Sequence, residues 1–146
     1  MGISYSHAYA FTQLANACGR AGRVTEGLAL INEALLEIDH NNHRQHEPTS
    51  YQIKGDLLLL QQLPPEQMAT AQQEAETCFR RAIELAQNRQ AKLREARALA
   101  SLCRLLHSQG RDEGCRQQLA DLYAWFTEGF ETEDLQVVRT VLQEIG

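Results

Sequence analysis

Apolar residues recur at every third or fourth position along most of the chain, and no stretch alternates with a period of two. That rhythm predicts helices throughout and no strands. A first helix over 4–20 carries Tyr5, Ala8, Phe11, Ala15 and Cys18 on its apolar side, and "GRAGR" breaks it. A second over 24–39 carries Leu28, Ile31, Ala34, Leu35 and Ile38. A third runs from Pro48 to Leu63 and stops at "LPPEQ", because proline cannot continue a helix but can open one. Further helices are expected over 66–88 and 90–109. After the "GRD" turn, Asp112 is an N-cap candidate for a sixth helix over 113–126. Thr132 is placed to cap a seventh that ends near Ile145.

Once the helices are laid out, an internal repeat emerges. Leu14, Ala15, Gly22, Gly27, Ile31 and Ala34 share their spacing with Leu102, Cys103, Gly110, Cys115, Leu119 and Leu122. The middle of the chain supplies Gly55, Ala75, Phe79 and Ala82 at the corresponding places, with an inter-helix segment eight residues longer. Small residues permit close helix crossings, and Ile31 and Phe79 fill the volume between units.

These offsets resemble the tetratricopeptide repeat. The resemblance implies an all-α fold: a right-handed superhelix of three helix pairs, with repeat units at about 4–41, 46–88 and 90–126, closed by a capping helix over 132–145. It is one domain. Phe11, Tyr51 and Leu99 stand where that family often has tryptophan. The stretch from Arg81 through "QGR" to "LYAWFTEGFETEDL" also resembles the end of the helical-repeat region in large bacterial signalling proteins that carry an ATPase module or nucleotide cyclase. The chain has no GxxxxGK[ST] phosphate loop, so only the repeat region carries over. A stack of helix pairs needs an atypical end, which "LYAWFTEGFETEDLQ" fits. Phe126 is expected to continue the sixth helix inward and Phe130 to fold back as a plug. Leu135, Val138, Leu142 and Ile145 are expected to cover the open end, and Trp125 either completes the cap or sits exposed.

Composition changes this picture little. The chain has 146 residues and a formal net charge of -5, which argues against nucleic acid or anionic lipid as a partner. No apolar run reaches the length of a membrane span. Four scattered cysteines within helical patterns read as reduced, semi-buried thiols of a cytoplasmic protein.

The chemistry candidates are few. His40, His43 and His46 share a spacing of three in "DHNNHRQHE", which suits either a metal or a solvated connection; no physiological metal is expected. Ser101, Cys103 and His107 lie on successive turns, but the repeat offset makes Cys103 and Cys115 small packing residues. No catalytic residue and no cofactor is expected.

Arg94, Arg97 and Arg104 form a basic stripe opposite Leu93, Leu99 and Leu102. In tetratricopeptide folds the first helix of each pair lines the concave surface. That resemblance implies a groove containing Tyr9, Thr12, Asn16 and Arg20, then Thr49, Gln52, Asp56 and Leu59, then Arg97, Arg104 and His107. A strict carboxylate clamp is interrupted by Asp56 and Ala100. The expected function is a noncatalytic interaction module for an acidic protein or peptide, with coupling to an ATPase- or cyclase-type signalling partner. The bland reading of the stripe is a solvated face on which Arg97 or Arg104 pairs with Asp56 of the neighbouring unit, and the alternative function is a structural spacer or homo-oligomer without a peptide site.

Overall fold

The computed structural model describes residues 4–42 and 44–146, with side chains from His7 onward. Seven helices make up these residues: α1 Ser4–Arg20, α2 Val24–Asn41, α3 Glu47–Leu60, α4 Pro65–Asn88, α5 Lys92–Ser108, α6 Cys115–Trp125 and α7 Glu133–Ile145. There is no strand among them. No helix among them is long and apolar enough to cross a membrane. Tyr5 lies on α1, but its side chain falls outside the described residues.

Two turns explain why the sequence offsets repeat. Gly22 and Gly110 hold φ of 80° and 70°, a left-handed conformation that a side chain would strain. Around them the same closing bonds recur: the Arg23 amide donates to the Cys18 carbonyl at 2.8 Å, and the Arg111 amide to the Leu106 carbonyl at 2.7 Å. This is the six-to-one closure typical of a helix ending in a left-handed residue. Gln90 achieves it between α4 and α5 without glycine, at φ 56°. The middle connection differs because Gln61 leaves α3 in extended backbone and Pro65 opens α4.

Consecutive helices pack on one another within α1–α2, α3–α4 and α5–α6, and α1, α3, α5 and α7 touch in that order. Where α3 meets α4, Gly55 faces the fully buried ring of Phe79. Where α1 meets α2, a Cβ on Gly27 would stand 3.1 Å from the Ala15 carbonyl oxygen. Cys103 and Cys115 fill the matching positions of α5 and α6, and they are joined by a disulfide with Cα atoms 5.6 Å apart. The expectation of reduced thiols is therefore corrected for this pair. A crossing tight enough to select small residues brings two cysteines within bonding reach. Cys18 and Cys78 are free, and burial pushes the Cys78 thiol up to about 11.

The buried side chains form two clusters. Ala15, Ile31, Ala34, Ile53 and Leu57 make the smaller, between α1, α2 and α3. The larger runs from Leu58 and Phe79 through Leu99, Leu102 and Leu119 to α7. Leu135, Val138, Val141 and Ile145 of α7 are buried in it, so Val141 takes the place expected for Leu142, which is half-buried.

The helix ends correct three smaller expectations. Asp112 does not cap α6; Gly114 stands at that position with φ 81°, and the Asp112 carboxylate holds His107 instead. Phe126 lies just past the end of α6 but still packs against the larger cluster. Phe130 is 38% exposed and leans on Tyr123 with ring centroids 5.5 Å apart, a partial cover more than a plug. Trp125 is 60% exposed, with the Lys92 ammonium 5.8 Å from its ring. Thr132 does cap α7, accepting the Leu135 amide at 3.4 Å.

Candidate binding groove

The successive contacts of α1, α3, α5 and α7 leave an open groove of about 830 Å³ along them. Helical spacing decides which side chains reach it. On α1, Ala8, Thr12 and Ala15 turn into the core, and Tyr9, Asn16 and Arg20, about a quarter-turn round the helix, line the groove. On α3, Gln52 and Asp56 sit one turn apart above Ile53, Leu57 and Leu60, which supply the apolar part of the wall. On α5, Leu93, Arg94 and Arg97 line the wall together. Leu93 thus shares the face of the arginines and does not oppose it.

Asp56 organises the centre. Its Oδ1 accepts the Ser101 hydroxyl at 2.9 Å, and its Oδ2 accepts the Arg97 guanidinium at 3.2 Å and the Gln52 amide. Arg97 also donates to Ser101 Oγ at 2.6 Å. The Arg97 and Asp56 side chains are only 19% and 32% exposed, so this pair is shielded and ties α3 to α5. Arg94 makes only a long bond, 3.4 Å, to the Gln45 carbonyl, and it forms no ion pair among the described residues. Close by, the Tyr9 ring lies 4.6 Å from the His46 ring. Burial, reinforced by the Arg94 charge, lowers the His46 pKa and favours its neutral form.

The fourth side of the groove belongs to α7. Thr132, Glu133 and Asp134 line it, and Glu133 pairs with Arg20 on α1. Asp134 faces the α5 arginines; burial raises its pKa, while Arg97 and Arg94 act against that rise. Three arginines, Arg20, Arg94 and Arg97, thus meet three carboxylates, Asp56, Glu133 and Asp134, along one groove.

Other expected groove residues lie elsewhere. Thr12 is fully buried, donating to the Ala8 carbonyl and sharing a 2.9 Å bond with Ser50. Leu59 packs against the larger core cluster. Arg104 and His107 do not line the groove. Seven residues beyond Arg97 is about 10 Å further along the helix axis. There Arg104 meets Glu144 of α7 through two bonds of 2.9 and 3.1 Å. His107, one turn on, holds Asp112 at 2.6 Å. Leu93 apart, the faces of α5 were readable from the sequence, but the position along its axis where α7 lies was not. The run "ETED" is the sequence signal for the acidic wall that the start of α7 supplies.

The remaining chemical candidates are separately engaged. Ser101 serves Asp56 and Arg97, Cys103 is in the disulfide, and His107 is on Asp112. His40 is exposed on the last turn of α2, His46 precedes α3, and His43 lies outside the described residues. Among the described residues no three histidine, cysteine, aspartate or glutamate side chains converge as a metal site would require. Compared with family models, with curated proteins and with solved structures, the chain finds no match.

Proposed function

We propose that the chain is a noncatalytic interaction module of tetratricopeptide-like build, a right-handed superhelix of three helix pairs with α7 as its cap. In this reading the groove along α1, α3 and α5 receives an acidic peptide or helix from a partner protein. The observation that carries it is Arg94: a groove-lining guanidinium without a carboxylate ion pair among the described residues, sharing the groove with Arg20, Arg97, Tyr9 and His46. Guanidinium forks match carboxylate geometry, and leucines beside them give apolar contact. The resemblance to the repeat ends of bacterial signalling regulators supports a partner of the ATPase or cyclase kind.

Fluorescence anisotropy with a labelled oligoglutamate peptide tests this. R20A/R94A should abolish binding while far-ultraviolet circular dichroism stays unchanged. R104E, outside the groove, should bind as the parent does. Binding indifferent to R20A/R94A, or absent from the parent, overturns the reading. The runner-up, a structural spacer or dimeriser, rests on the exposed Leu14, Leu36 and Trp125, at 53%, 64% and 60%. Light scattering that shows a tight dimer and no oligoglutamate binding would favour it.

A further inference from the structure

Two of the three carboxylates in the groove come from one place, the first turn of α7. Asp56 is built in, because Ser101, Gln52 and Arg97 all bind it. Glu133 and Asp134 are different. They follow a connection turned by Gly129 at φ 81°, on a helix anchored further along by Leu135, Val138, Val141 and Ile145. Helices α1 and α7 do not pack on each other, so the Arg20–Glu133 pair spans the groove between them as a clasp. Both partners are about two-thirds exposed, at 60% and 66%, which makes the clasp weak and easily exchanged.

We propose that Glu133 and Asp134 are an internal competitor for the groove. The partner it fits is a helix or turn that opens with two consecutive acidic residues, one taking the place of Glu133 on Arg20 and the other that of Asp134 beside Arg94 and Arg97. The proposal rests on the groove being a binding surface and specifies what that surface selects. With the α7 acids in place, the three arginines are balanced by three carboxylates. Once the two are swung aside, three positive groups face Asp56 alone, and the groove attracts a paired carboxylate. Exchange requires only that two side chains change rotamer, since the buried residues of α7 hold the helix where it is. A neutral segment gains nothing from the exchange, so the clasp also discriminates against it.

The test uses a fluorescein-labelled peptide copying residues 127–136 as probe, added to the full chain. E133Q/D134N should bind this peptide roughly five- to tenfold more tightly than the parent at low salt, and the difference should shrink as ionic strength rises. A peptide with Gln and Asn in place of Glu133 and Asp134, its Glu128 and Glu131 kept, should show no such gain. If the double variant loses helicity, E133Q alone carries the test with a smaller gain of the same sign. Equal affinity of parent and variant, with binding still lost in R20A/R94A, overturns the competitor and leaves the binding groove standing. Absence of binding in every protein overturns both.

Discussion

Replacing Gly55 by alanine sets two effects of known sign against each other. In a helix interior alanine is favoured over glycine by about 1 kcal/mol, so composition alone argues that G55A should stabilise α3. The structure argues the reverse. A Cβ at Gly55 would stand 2.8 Å from Cδ1 and Cζ of Phe79 and nearer still to Cε1. Carbon atoms rest at about 3.5–4.0 Å, so one of the two must yield. Phe79 is fully buried, in a cluster that continues through α5 to α7, so its ring can move only by displacing packed neighbours. Overpacking costs about 1–3 kcal/mol, and an approach this close to a fully buried ring belongs at the upper end, from which the gain of about 1 kcal/mol is subtracted. The net expectation is a loss of about 2 kcal/mol, which lowers Tm by about 4–8 °C for a chain of this size. Urea unfolding followed by circular dichroism measures it. F79L vacates part of the ring, so G55A/F79L should be less destabilised than the sum of the single changes. If G55A proves as stable as the parent, or the cycle is additive, the close crossing of α3 and α4 is wrong.

Other consequences are open to direct measurement. C103S/C115S should lower the unfolding free energy by about 3 kcal/mol, from a loop of 12 residues. Maleimide labelling of the denatured, unreduced chain should modify Cys18 and Cys78 only. T132A should destabilise the start of α7 by about 1 kcal/mol, and T132S should not, since the hydroxyl is what accepts the Leu135 amide. Stability should also respond to His46, whose folded pKa lies below its ordinary 6.5. Between those two values the unfolded chain binds more protons. The contribution of His46 is therefore complete above pH 6.5 and lost as pH falls through the folded value. H46Q should flatten that slope; an unchanged slope would refute the burial of His46 beside Arg94 and Tyr9.

The helices and their turns were legible because each depended on a local signal. Gly22 and Gly110 stand at one offset, each after an apolar helical face, and both close their helices in the same way. What escaped was whatever needed two segments to be set side by side. Cys103 and Cys115 were each assigned as a small crossing residue, yet the same offsets pair Ala15 with Gly27. Placing the two columns together would have brought the sulfurs into reach. The disulfide also removes the thiol argument for a reducing compartment. Around α5, the angular position of Arg94, Arg97, Arg104 and His107 followed from the helical period. Which of them meets open groove depended on the course of α7, and no local pattern encodes that.

The split between the two buried clusters falls inside α3, between adjacent residues: Leu57 belongs to one and Leu58 to the other. Helix α3 is therefore a party wall, bridged where Leu28 of α2 packs against both clusters, and one side is expected to open while the other stays shut. Loosening α1 and α2 would uncover Ile53 and Leu57 but leave Phe79, Leu119 and the α7 contacts intact. Backbone amides of α1 and α2 should then exchange with solvent earlier than those of α4 and α5, as a separate cooperative unit. Arg20 and Asn16 travel with that unit, so ligand affinity and the opening of the α1–α2 hairpin share one equilibrium. A ligand bridging Arg20 to Arg94 would slow exchange in α1 and α2 far more than in α5.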